Sequence, residues 1–135
     1  MREPAWRLAS PSVVRVVVAD DSKPMLGAIV SLLFPQFDVV GTADDGEAAL
    51  EMITRLKPDI AVLDVSMPFK TGIEVAAELK ASAPDVKVVI VSADDDESYI
   101  RAAREAGALA YVVKTTFGKK LIPALESASE GKEFV

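Results

Sequence analysis

Val13-Val14-Arg15-Val16-Val17-Val18-Ala19-Asp20-Asp21 is an apolar, β-branched run that stops on two adjacent carboxylates. A run of this length reads as a strand buried on both faces, because alternation between apolar and polar residues is absent. Three further runs end in the same manner: Ile60 to Leu63 before Asp64, Val86 to Val91 before Ser92, and Leu109 to Val113 before Lys114. A fifth run, Phe37 to Thr42, has the same β-branched character.

The segments between these runs have helical spacing and helix-end signals. Ser22-Lys23-Pro24 offers a cap and an early proline ahead of Met25, Ile29, Leu32 and Leu33. Asp45-Gly46-Glu47 opens Ala48 to Leu56, Thr71-Gly72 opens Ile73 to Leu79, and Asp95-Asp96-Glu97 opens Tyr99 to Ala106 with Gly107 as the stop. A last helix is predicted over Phe117 to Glu130, ending at Gly131. Alternating strands and helices with continuous apolar strands predict an α/β fold: a doubly wound (βα)5 arrangement with a five-stranded parallel sheet and right-handed crossovers. Ligands of such sheets sit at the carboxyl ends of the strands, and Asp20, Asp21, Asp64, Ser92 and Lys114 all lie there.

At 135 residues the chain is long enough for one domain with a full core. It has neither cysteine nor histidine, which excludes disulfides, thiolate and imidazole metal sites, Ser-His-Asp triads and phosphohistidine chemistry within the chain. A net charge of −6 argues against nucleic-acid binding through its own surface. The apolar runs fall far short of the roughly 20 residues of a membrane span, so the expectation is a cytoplasmic protein without membrane contact. Residues 1–12 contain prolines and lack period, and read as an N-terminal arm from which Trp6 can pack on the body.

Three carboxylates brought together repel, and a hard divalent cation balances them; Mg²⁺ suits a site of few carboxylates that also takes phosphate oxygens. A carboxylate can itself attack phosphorus to form an acyl phosphate. Asp64, ending the central strand, is the candidate nucleophile, Lys114 the phosphate-pairing charge and Ser92 a hydrogen-bonding hydroxyl. Taken singly, each has an ordinary reading: a helix cap for Asp20 or Asp21, turn chemistry for Asp64 or Ser92, a solvated surface lysine, a core position for Tyr111. Their joint placement at matching strand ends is what those readings do not predict. Asp94 to Glu97 reads as a helix N-terminus whose field opposes a nearby phosphoryl group, and no Gly-rich nucleotide loop is present.

Val16 to Asp21, Val62-Leu63-Asp64-Val65-Ser66-Met67-Pro68 with Gly72 beyond, Val89 to Ala93, and Gly107 to Lys114 together resemble the receiver domain of a bacterial two-component response regulator. The resemblance covers residues 13–131 and implies a flavodoxin-like sheet of strand order 2-1-3-4-5. It implies Asp64 as the phosphoacceptor, Asp20 and Asp21 as the acidic pair for Mg²⁺, and Ser66 as the donor of a backbone carbonyl to the metal. Ser92 resembles the switch hydroxyl, Ala93 the small residue beside the phosphoryl path, Tyr111 the switch aromatic and Lys114 the phosphate-pairing lysine. The implied donor is a sensor histidine kinase, the implied response a population shift of the face around the fourth helix, fifth strand and fifth helix, with homodimerisation as one output. On this reading the chain catalyses only its own phosphorylation and dephosphorylation.

The stretch ending in Gly131-Lys132-Glu133-Phe134-Val135 resembles the exit into a linker in regulators of the NarL/FixJ class, which carry a LuxR-type helix-turn-helix. DNA contact would then fall to an output domain outside this chain, with 132–135 as the start of the linker; a stand-alone receiver is the competing reading. One position departs from the family, which often follows its lysine with a cis proline, whereas Thr115 follows Lys114. Two other functions compete: a haloacid-dehalogenase-like phosphatase, which wants an Asp where Ser66 stands, and a receiver-like module that signals without phosphorylation.

Overall fold

A computed structural model describes residues 13–134. The arm at 1–12, including Trp6, lies outside the described residues. Five strands form one parallel sheet: β1 (Arg15–Ala19), β2 (Asp38–Ala43), β3 (Ile60–Asp64), β4 (Lys87–Ser92) and β5 (Ala110–Val113). Their spatial order is β2-β1-β3-β4-β5, the expected doubly wound order. The helices are α1 (Lys23–Leu33), α2 (Gly46–Leu56), α3 (Gly72–Ser82), α4 (Glu97–Glu105) and α5 (Phe117–Ser129), with a 3-10 turn at Lys114–Thr116.

Side chains of a strand alternate between faces, and that alternation divides the core in two. Val16, Val18, Ile60, Val62, Val89, Val91, Ala110 and Val112 pack beneath α1 and α5, against Ile29, Leu33, Leu121 and Leu125. Val17, Ala19, Ala61, Leu63, Val88 and Ile90 face the other side, against Ile53 of α2, Val75 and Leu79 of α3 and Ala103 of α4. Each central strand therefore meets a helix layer on both sides, which is why β1, β3 and β4 are apolar except at their end residues.

The helix ends follow the local signals. Ser22, Asp45, Thr71 and Asp96 cap their helices by accepting from backbone N–H groups, and Thr71 with Glu74 forms a full capping box. Asp94 to Glu97 therefore does act as a helix N-terminus: Asp96 Oδ1 accepts from Ser98 N at 2.7 Å, and Asp94 Oδ1 from Asp96 N at 2.9 Å. Gly107 and Gly131 stop α4 and α5 with φ of +101° and +74°.

Element bounds differ from the sequence expectation where pairing decides them. Phe37 is buried but belongs to the turn before β2, its N–H donating to Leu33 O at 2.9 Å. Val86 likewise donates to Ala83 O, so β4 starts at Lys87. Asp64 and Ser92 are the last residues of their strands instead of the first beyond them. After α5 the backbone turns back: Phe134 N donates to Leu109 O at 2.9 Å, and its ring packs against the α1/α5 layer.

Candidate functional site

Strand register brings the polar residues to one end of the sheet. β1 and β3 pair Ala19 with Leu63, β3 and β4 pair Asp64 with Val91, and β4 and β5 pair Ser92 with Val113. Asp20, Asp64 and Lys114 continue the alternation phase of the α1/α5 side, whereas Ser92 and Tyr111 continue the opposite phase. The first three consequently converge, and the latter two lie beside α4.

Lys114 Nζ stands 2.9 Å from Asp20 Oδ2 and 3.3 Å from Asp64 Oδ2. Asp20 is fully enclosed and Asp64 is 4% exposed. Asp20 Oδ1 accepts from Ser22 N at 2.8 Å, and Asp64 Oδ1 from Ser66 N at 3.4 Å. Asp20 Oδ2 makes no well-angled hydrogen bond, so the neighbouring ammonium is its one described polar contact. One carboxylate oxygen from each of Asp20, Asp21 and Asp64 falls within a span of 4.8 Å, with exposed Asp21 at the mouth. A buried oxygen short of partners and three acids at this spacing fit a hard cation with oxygen ligands.

The electrostatics follow from burial. Desolvation, reinforced by the Asp20 charge, pushes the Asp64 carboxyl up from 3.8 to about 6, with Lys114 and the Ser66 N–H opposing the rise. Burial works against the Lys114 charge, but Asp20 and Asp64 outweigh it and raise the lysine above its ordinary range. The Lys114–Thr115 peptide is trans, and the lysine still spans both acids, so Thr115 does not displace it.

Ser92 is buried but shares no described hydrogen bond with Asp64; its Oγ accepts from Asp94 N at 3.1 Å. Tyr111 lies half-buried against the α2–α4 layer, and its hydroxyl donates to Asp94 O at 2.6 Å. Burial raises its phenol above the ordinary range. Ser66, in the loop that follows Asp64, and Ala93, which follows Ser92, are both exposed.

Two positioning residues carried no chemical signal in the sequence. A Cβ on Gly72 would stand 2.2 Å from Asp64 O, and one on Gly46 would stand 2.0 Å from Lys70 O. Gly72 N also donates to Val65 O at 3.0 Å, and Gly46 N to Pro68 O at 3.1 Å. Glycine at these two positions lets the starts of α3 and α2 press directly on the loop that leaves Asp64. Gly72 was visible as part of a motif and Gly46 as a helix opener, but neither close approach follows from local pattern.

Residues 16–126 match the response regulator receiver domain. The chain belongs to this receiver family. Among the receiver's relatives, DegU of Brevibacillus brevis, a transcriptional regulatory protein, is 32% identical over 124 residues, covering 90% of this chain and 52% of that protein. The probable transcriptional regulatory protein NarL of Mycobacterium tuberculosis is 35% identical, covering 93% of this chain and 59% of that protein. The chain thus spans little more than half the length of these relatives. The solved receiver domain of the M. tuberculosis NarL superposes with a TM-score of 0.85 at 35% identity, over 90% of this chain and all of that one. A LuxR-family response regulator of Aurantimonas superposes equally well, with a TM-score of 0.85 at 27% identity over 90% and 89% of the two chains.

Proposed function

We propose that this receiver is a phosphoacceptor switch: Asp64 takes a phosphoryl group from the phosphohistidine of a sensor kinase. A carboxylate oxygen of Asp64 attacks phosphorus, the P–N bond breaks with its electron pair passing to the imidazole, and an acyl phosphate forms. The observation that carries this reading is the nearly enclosed Asp64 carboxylate, flanked by Lys114 at 3.3 Å and within ligand distance of Asp20 and Asp21.

Asp20, Asp21 and Asp64 are the side chains that would hold Mg²⁺, with the Ser66 carbonyl as a further donor from the backbone. Bound there, the cation supplies charge neutralisation for the phosphoryl oxygens. Lys114 would then exchange part of its pairing with Asp64 for a phosphoryl oxygen, and Ser92 would leave Asp94 N to donate to another. That movement would alter the loop carrying Asp94, to which the Tyr111 hydroxyl is tied, and so bias the α4–β5–α5 face.

By analogy with the transcriptional regulators it matches, the response controls a DNA-binding output domain outside this chain, through partner contact or homodimerisation. A cytoplasmic setting follows from the same reading; among the described residues no helix is long and apolar enough to cross a membrane. The acids and the lysine are all retained and Lys114 reaches them, which leaves the phosphorylation-independent module without a supporting observation.

The test is incubation with acetyl phosphate and Mg²⁺ followed by intact mass measurement, beside Asp64→Asn. One added phosphoryl group on the wild type alone is the expected outcome. A folded, Mg²⁺-binding wild type that stays unlabelled under conditions that trap short-lived adducts would refute the proposal.

A further inference from the structure

Phe69 combines two features that destabilise the free chain. Its φ of +70° is a left-handed conformation that any residue with a Cβ adopts at a cost, and 76% of its surface is uncovered. A single exposed phenyl is ordinary on a protein surface, but one held in strained backbone is not. The surrounding loop imposes the strain. Pro68 O accepts from Lys70 N at 2.8 Å, closing a three-residue turn with Phe69 at its apex, and from Gly46 N at 3.1 Å, tying that turn to the start of α2. On the other side Lys70 Nζ pairs with Glu78 Oε2 of α3 at 2.8 Å, and Gly72 N donates to Val65 O at 3.0 Å. The apex is thus fastened to two helices, and its ring gains little packing that would offset the strain.

We propose that Phe69 is a docking anchor for a protein phosphodonor, inserted into an apolar pocket beside the donor's phosphohistidine. The inference rests on the phosphoacceptor reading of Asp64 and adds a residue that acts on protein donors alone. Distance supports it. The stretch from Asp64 to Phe69 reaches roughly 17 Å when fully extended, and the Gly72–Val65 hydrogen bond folds it shorter. A protein that covers about 800 Å² centred on Asp64 has a footprint about 16 Å in radius, so Phe69 falls within it. A small donor such as acetyl phosphate has no such footprint and cannot touch the ring while reacting. Charge selects a different protein over a second copy of this chain. Asp21, Asp44, Asp94 and Asp95 are exposed at this end of the sheet, and a symmetric pair docked here would set these acids against themselves. The fitting partner has a basic rim around its apolar pocket. A large, rigid aromatic held outward by pinned backbone is suited to such a contact, because little further ordering is needed on binding.

The test compares two donors on the same variants. The protein donor is an autophosphorylated histidine-kinase core of dimerisation and ATP-binding domains, the fastest on the wild type in a survey of such cores at equal concentration. The small donor is acetyl phosphate. Phe69→Ala and Phe69→Gly should each lower kcat/KM for transfer from the core about tenfold, chiefly by raising KM, while Phe69→Tyr stays within about twofold of the wild type. With acetyl phosphate all three should label within about twofold of the wild type. Phe69→Gly relieves the strained φ, so a loss in that variant cannot come from a damaged fold. Unchanged transfer from the core in the Ala and Gly variants would overturn the proposal. So would an equal loss with both donors, which would make Phe69 a support of the site, or a wild type that acetyl phosphate labels and no core does. A wild type that neither donor labels would refute the phosphoacceptor reading itself, and the docking role would fall with it.

Discussion

Replacing Asp64 by Asn should stabilise the metal-free protein. The carboxyl rises from 3.8 to about 6 on folding, chiefly through desolvation and the Asp20 charge. Each pKa unit is worth about 1.4 kcal/mol, so ionised Asp64 costs the fold about 3 kcal/mol at neutral pH. The sign follows from proton uptake: the folded state binds the proton more tightly than the unfolded one. The cost is therefore absent below 3.8, grows as pH climbs toward 6, and is complete above it. Asn keeps the shape of the neutral acid and should recover most of that amount. The assay is urea unfolding of wild type and Asp64→Asn in a chelator, at about pH 7.5 and about pH 3.5. The variant should be the more stable by about 3 kcal/mol at the higher pH and nearly equal at the lower. Saturating Mg²⁺ should narrow the gap from the wild-type side, by about 2.7 kcal/mol at a hundredfold excess over its Kd. A gap below about 1 kcal/mol at the higher pH, or one unchanged at the lower, would refute the electrostatic reasoning and make the effect one of packing.

Gly72→Ala should destabilise by roughly 1–3 kcal/mol and lower acetyl-phosphate labelling, since its Cβ meets Asp64 O at 2.2 Å and a backbone atom cannot swing aside. Equal labelling and stability would show that α3 shifts freely. Lys114→Met removes the cation that faces two buried acids and should cost roughly 3–5 kcal/mol in metal-free protein. Mg²⁺ should restore melting temperature but not the labelling rate, and recovery of both would deny the lysine a role at the phosphoryl group. Phe69 has a φ of +70° and is 76% exposed, so Phe69→Gly should stabilise by about 1 kcal/mol with labelling unchanged. A destabilised variant in urea titration would mean that the ring packs against something.

How far the sequence could be read depended on the range of the interaction. Val16 to Ala19 and Ile60 to Leu63 showed as two-sided strands because burial on both faces leaves no polar alternation, and Ser22, Asp45, Thr71 and Asp96 marked helix starts through bonds to their own neighbours. The bounds that shifted were those set by another segment: Phe37 and Val86 look like strand residues but spend their N–H groups on the preceding turn. The motif residues pointed to Asp20, Asp21, Asp64 and Lys114 as one cluster. Ser92 finishes its strand at the same end of the sheet, and in this conformation its hydroxyl accepts from Asp94 N, on the opposite phase of the strand alternation.

By itself, then, the chain's sequence determined the order of its elements, the parallel sheet and the end of that sheet where the polar residues gather. Those follow from alternation, caps and strand ends, which are properties of residues near one another in the chain. Only the tertiary structure decided that Lys114 bridges Asp20 and Asp64 without the family's proline, that Asp64 is buried deeply enough to titrate near 6, and that Gly72 lies against its carbonyl. Desolvation, charge pairing and close contact act through space between segments up to 94 residues apart, from Asp20 to Lys114, and no local pattern records them.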